Sequence, residues 1–194
     1  MSPPSKRDIQ AENRRNQLLD IALALFAEKG VENVSIKEIA TKAGIAQGLI
    51  YHYFQSKGQL LTAVIQRDNP MPDFEAINAQ LAGLPARDGL NILARRLSEL
   101  MPKKRLVLRL LMRELLSSQS GISPMVASFR KKALRSLTEY FQSRIKEGEL
   151  RSHDPSVSVQ MLVSTLLAQL FLNQPLEPAS KEAASIILNG ILAR

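Results

Sequence analysis

Apolar residues along this chain return every three or four positions, and no segment keeps the every-second-residue alternation of a half-buried strand. That pattern predicts an all-α protein of about nine to ten helices. A polar arm with two prolines, expected to be disordered to about residue 8, leads into a first helix over residues 11–29. On it Leu18, Ile21, Ala22, Leu25 and Phe26 share one face, and Gly30 stops it. Further on, Ser56 and Gln59 form a capping box that opens a helix burying Leu60, Leu61, Val64 and Ile65, until Asn69, Pro70 and Pro72 break it.

Short helices are expected next over residues 73–82 and 87–100, the second with Leu90, Leu93, Ala94 and Leu97 inward and with Pro102 separating it from its successor. The successor, over residues 103–118, turns Leu106, Val107, Leu110, Leu111 and Leu115 inward, and Gly121 ends its connection. Ser123 and Pro124 start a long helix through Phe129, Ala133, Leu137, Phe141 and Ile145 to about residue 147. Asp154 and Pro155 then cap and open a segment, SVSVQMLVSTLLAQLFL, that is apolar on nearly all sides. Such a helix must be buried all round, and too few other elements remain to cover it, so a partner subunit is expected. A last helix over residues 180–193 carries Ile186, Ile187, Leu188 and Ile191.

The most informative stretch is 35–57, SIKEIATKAGIAQGLIYHYFQSK. Ser35 caps a helix with Glu38 closing the box, and Ile36, Ile39, Ala40 and Ala43 fall on one face. Gly44 stops it, Ile45 buries the turn, and a second helix from about Ala46 sends Leu49 and Ile50 inward while Gln47, Gly48, Tyr51 and His52 face out. This is a helix-turn-helix with an exposed reading face.

The chain has no cysteine and two histidines, so disulfides and thiolate metal sites are excluded and no histidine-rich zinc site is expected. A formal charge of +8 suits a nucleic-acid partner, yet residues 1–67 carry +3 and residues 87–114 carry +5. Most of the excess thus lies outside the helix-turn-helix. Lys6, Arg7, Arg14 and Arg15 in the arm and first helix are candidate phosphate contacts. Without an apolar leader or an apolar run of about 18 residues, the protein is expected to be cytoplasmic and away from membranes.

The spacing Ala40, Ala43, Gly44, Ile45, Ala46, Gly48, Ile50, Tyr51, Tyr53, Phe54, Lys57 resembles the DNA-binding signature of the tetracycline-repressor (TetR) family of bacterial transcription regulators. Gly48, Tyr51, Tyr53, Phe54 and Lys57 make the resemblance specific. It implies a homeodomain-like three-helix DNA-binding domain over residues 9–55 and a larger effector-binding and dimerisation domain over 56–194, linked by the helix from Ser56. By position it makes Lys37 and Gln47 base readers, since lysine donates to guanine N7 and O6 and an amide pairs with adenine N6 and N7. It lets Gly48 approach the duplex and puts Tyr51 at a phosphate or thymine methyl, His52 and Tyr53 at phosphate or base edge, and Lys57 at phosphate. Ser35 and Ala46, at the two helix starts, complete the set; the family usually has serine or threonine where Ala46 stands.

The same resemblance implies an effector pocket in the second domain, for which Leu93, Leu97, Met101 and Met112 are candidates together with Leu116, Phe129, Arg109 and Arg113. It also implies that the last large helices pair with their copies, with Leu137, Phe141, Leu162, Leu166 and Leu170 as candidate interface residues. Arg105, Arg109 and Arg113 recur every four residues, a basic stripe that suggests an anionic effector or acidic partner. The expected function is a homodimeric repressor of a pseudo-palindromic operator on double-stranded DNA, released by a small molecule and needing no cofactor. A TetR-like binder without an effector, acting as an activator or through a protein partner, is the alternative. An enzyme is not expected, because the sequence offers no nucleophile–base pair, phosphate loop or metal set.

Overall fold

Ser5 opens the first element: its hydroxyl accepts from the Asp8 backbone N–H and the Asp8 carboxylate answers at the Ser5 N–H, a capping box that starts α1 (Lys6–Lys29). The expected disordered arm is therefore helical from Lys6. The computed structural model describes residues 5–116 and 123–191; the first four residues, the connection through Gly121 and the end of the last helix at 193 lie outside the described residues. Ten helices follow in order among them. After α1 come α2 (Ile36–Ala43), α3 (Gln47–Tyr53), α4 (Lys57–Arg67), α5 (Met71–Leu81), α6 (Ala86–Lys103) and α7 (Arg105–Leu116). α8 (Ser123–Lys146), α9 (Pro155–Phe171) and α10 (Leu176–Ile191) complete the chain. No helix among the described residues is long and apolar enough to cross a membrane.

The chain divides into two compact units, Met1–Asn69 with Leu106–Ser123, and Pro70–Arg105 with Pro124–Arg194. In the first, α1 packs on α2 and α4 and α2 packs on α3, around Leu18, Leu19, Phe26, Ile39, Ile50, Leu60 and Leu61. Relative to the expected division at residues 55 and 56, this unit keeps α4 and also takes in α7. In the second, α10 packs on α6 and α9, α6 on α5 and α9, around Leu90, Leu93, Leu97, Leu162, Leu166 and Leu188.

Two expectations from periodicity are corrected. Pro102 lies inside α6, and the break falls at Lys104, because a proline near a helix end removes few bonds. Leu106 is 43% exposed and Leu108 is buried in its place, so the inward face of α7 is rotated from the expected one. On α9 the single chain leaves Val157 and Met161 each about half exposed, while Leu162, Leu166 and Leu170 are buried.

The second unit contains a buried polar knot at the end of α8. Arg144 is buried and donates to Glu149 at 2.8 Å and to Glu147 at 2.6 Å. The other oxygen of Glu149 accepts from the Ala86 N–H at 2.6 Å, at the start of α6. Beside it the Tyr140 hydroxyl donates to the Leu84 and Pro85 carbonyls, and burial pushes its pKa up to about 12, so it stays a donor at any physiological pH. The α5–α6 connection is thus tied to α8 by polar contacts. Arg144→Met removes the cation and leaves the part-buried Glu149 carboxylate without its counter-charge. A loss of about 2–4 kcal/mol is expected, below the fully buried range because both glutamates reach solvent, and urea unfolding measures it.

Candidate nucleic-acid interface

The helix-turn-helix is built from local rules. The Ser35 hydroxyl accepts from the Glu38 N–H at 3.1 Å and starts α2. The Glu38 carboxylate goes to the Lys29 ammonium at 2.6 Å, where the expectation was a closed capping box, and that hydrogen bond holds the Glu38 pKa below the usual carboxylate range. α2 buries Ile36, Ile39, Ala40 and Ala43, leaving Ser35 and Lys37 exposed. Gly44 then turns the chain at φ 66°, a left-handed conformation that glycine adopts without steric cost.

α3 has seven residues and no side-chain cap: Ala46 has the extended backbone of a cap but no oxygen to offer. Gln47, Gly48, Tyr51 and His52 lie within an arc of about 140° at 100° per residue, and all four are exposed. Ile50 faces the opposite way and is fully buried, and Phe54 closes the helix into the core. Leu49, expected inward, is 38% exposed, because a two-turn helix buries one narrow stripe and Ile50 occupies it. Tyr53 is half-buried, edge-on to His52 with ring centroids 5.5 Å apart. Lys37, Gln47, Tyr51 and Lys57 line one open cleft between the starts of α2 and α3.

Two cations have jobs that the sequence did not assign. Lys57 was expected at phosphate; its ammonium is half-buried and donates to the Val31 and Val34 carbonyls at 2.9 and 3.3 Å, bracing the loop before α2. Arg15, a candidate phosphate contact, holds its guanidinium 5.3 Å from the centre of the Phe54 ring. Lys6, Arg7 and Arg14 are exposed along the first turns of α1. Backbone acceptors and ring faces are invisible to a motif, so nothing in the spacing marked either contact.

The remaining candidates are distributed as follows. Leu93, Leu97 and Met101 are buried in the second unit, where Phe129 is half-buried. Met112 is half-buried on α7, Arg109 is exposed and Leu116 is 80% exposed. The basic stripe is not a free anion platform: Arg105 donates to the Asn173 side chain and Arg113 to the Glu28 and Lys29 carbonyls. Leu137, Phe141, Leu162, Leu166 and Leu170, expected at a subunit interface, are instead core residues of their own unit. Exposed apolar residues on these helices include Val157 and Met161 on α9, Leu172 at its end and Ile186 on α10, and Met161 and Ile186 line one shallow groove. Periodicity marks which residues are apolar, but it cannot tell burial by the same chain from burial by a second one. Among the described residues no group of three or more histidine, aspartate or glutamate side chains could hold a metal ion.

The uncapped start of α3 is the weakest local element of this surface. Ala46→Ser places a hydroxyl where the backbone already has cap geometry and is expected to stabilise the chain by up to about 1 kcal/mol, read as a rise in thermal midpoint.

Residues 18–64 match the family model for bacterial regulatory proteins of the tetR family. The HTH-type transcriptional repressor KstR2 of Rhodococcus jostii (strain RHA1) is 27% identical, with 98% of each chain covered. An HTH-type transcriptional regulator of Staphylococcus aureus (strain USA300) is 45% identical over 58 residues, 30% of this chain and 31% of the relative. Among solved structures, KstR2 of Mycobacterium tuberculosis superposes with a TM-score of 0.74 at 21% identity, covering 93% of this chain and 96% of that one. FadR of Bacillus subtilis in complex with stearoyl-CoA gives a TM-score of 0.70 at 22% identity, covering 91% and 98%. Residues 18–64, which hold the helix-turn-helix, thus belong to the tetR family of bacterial regulatory proteins, and the fold of the chain is shared with KstR2 and FadR.

Proposed function

We propose that this chain is a homodimeric repressor that binds a pseudo-palindromic operator in the cytoplasm and leaves it when a small molecule binds. The observation that carries the reading is the face of α3, where Gln47, Gly48, Tyr51 and His52 are exposed together next to Lys37 with no apolar cover. Gln47 and Lys37 reach base edges in the major groove, and Tyr51, His52 and Tyr53 anchor the backbone on either side. A two-turn helix reads only a few base pairs, so one head binds weakly and two are needed, about 34–36 Å apart on successive major grooves.

The second copy is proposed to dock on the face of α9 and α10 that carries Val157, Met161 and Ile186. Half-exposed apolar residues on adjacent helices are what a self-complementary two-fold contact requires. Repressor action is supported by the name of the R. jostii relative, and a small-molecule effector by the stearoyl-CoA held in the B. subtilis structure. The effector needs only a different affinity for the DNA-fitting and non-fitting arrangements of the heads.

A footprint on the DNA beside the protein's own coding region tests the reading: a protected pseudo-palindrome supports it, and no sequence preference in moderate salt sinks it. Gln47→Ala is expected to cost about 1–3 kcal/mol at the base it reads and to relax preference there alone, measured by competition among single-base operator variants. Met161→Arg with Ile186→Arg is expected to give a folded monomer in analytical ultracentrifugation. Operator affinity should then fall at least about a hundredfold, as bivalency is lost.

A further inference from the structure

Of the two aliphatic side chains of α3, Ile50 is fully buried and Leu49 is 38% exposed. At 3.6 residues per turn Leu49 lies about 60° from His52 and about 40° from Tyr53 around the helix. The His52 and Tyr53 rings meet edge-on at 5.5 Å, which gives α3 one apolar and aromatic edge. Gln47 and Tyr51 stand on the other edge, in the cleft with Lys37. The helix thus offers two chemistries to one groove: hydrogen-bonding groups along one side and an apolar wall along the other.

Gly48 separates the two edges. A Cβ there would meet nothing within 4 Å, and its φ is not among the positive ones. Neither the packing of the chain nor its backbone conformation asks for glycine at this position, and a glycine inside a helix costs stability that an alanine does not. Bare backbone between two edges suits a surface that comes close from outside. Leu49 is the wall that such a surface meets on the apolar side.

In a major groove the 5-methyl of thymine is the one apolar group that a base edge presents; the others are hydrogen-bond donors and acceptors. A leucine has nothing to offer a phosphate or a base amide, and it gains only by covering that methyl. We propose that Leu49 is a specificity-determining residue that reads the 5-methyl of one thymine under each head, beside the base that Gln47 reads. The inference rests on the DNA-binding reading above and deepens it; it holds for a single head as for two, and needs no effector.

The test uses the full chain and duplexes of the protected site in which each thymine in turn is replaced by deoxyuridine, which removes the methyl and leaves base pairing unchanged. Competition followed by fluorescence anisotropy gives the affinities. Wild type should lose about fourfold at one thymine, the burial of a single methyl group, and about fifteenfold when that thymine is replaced under both heads. Leu49→Ala should bind the thymine duplex more weakly and show no loss at that deoxyuridine, while its losses at other thymines stay as in wild type. Leu49→Met keeps an apolar tip and should keep the penalty. Leu49→Gln, of similar length, should abolish it, and serves if the alanine variant does not fold. With cytosine in place of that thymine, 5-methylcytosine should regain about fourfold in wild type but not in Leu49→Ala. The proposal is overturned if no thymine costs wild type more than about twofold, well under one buried methyl. It is equally overturned if Leu49→Ala and Leu49→Gln retain the penalty, or if Tyr51→Ala abolishes it and they do not. A wild type without any sequence preference overturns DNA reading, and this assignment with it.

Discussion

A helix of seven residues with an alanine at its cap does not persist in water by itself, so the reading face of α3 exists only because its neighbours hold it. Ile50 and Phe54 bury its inner stripe, the left-handed Gly44 sets its entry, and the Ser56 hydroxyl starts α4 directly behind it. The rest of the first unit answers that constraint. α1 supplies the floor through Leu18, Leu19, Ala22 and Phe26, and α4 closes it with Leu60, Leu61 and Val64. Gln47, Tyr51 and His52 can then face out beside Gly48.

Positive charge in this molecule divides between scaffold and partner. Lys57, Arg113 and Arg144 have their donors on carbonyls or carboxylates of their own unit, and Arg15 lies over the Phe54 ring. The formal charge of +8 therefore overstates what is offered to DNA. Lys37, Lys42 and the exposed Lys6, Arg7 and Arg14 remain at the surface of the reading unit. In the dimeric reading proposed above, affinity built on a handful of cations depends on the spacing of two heads more than on the strength of either.

Helix starts and stops were legible in the sequence wherever the signal is local. Ser35, Ser56 and Asp154 cap the helices they were expected to cap, and Gly30, Gly44 and Gly148 carry positive φ at the ends expected of them. The outward face of α3 was legible for the same reason, since a motif fixes residues only a few positions apart. Contacts between residues distant in sequence were not. Arg113 reaching Glu28, or Lys57 reaching Val31, involves backbone acceptors that every residue has, so no residue type announces the partner. The inward stripes of α8 and α9 were read correctly as apolar but assigned to a second subunit, because periodicity gives a direction and never the owner of the surface met there.

The central claim is that the chain works as half of a pair with its two heads at a fixed separation. Because the sequence has no cysteine, Lys42→Cys on the exposed side of α2 gives one spin-label site per chain, and double electron–electron resonance reads the distance between heads. On operator DNA a single narrow distribution is expected, set by heads about 34–36 Å apart and widened only by the reach of the labels. A broad distribution on operator DNA, or no dipolar signal at all, would contradict the account.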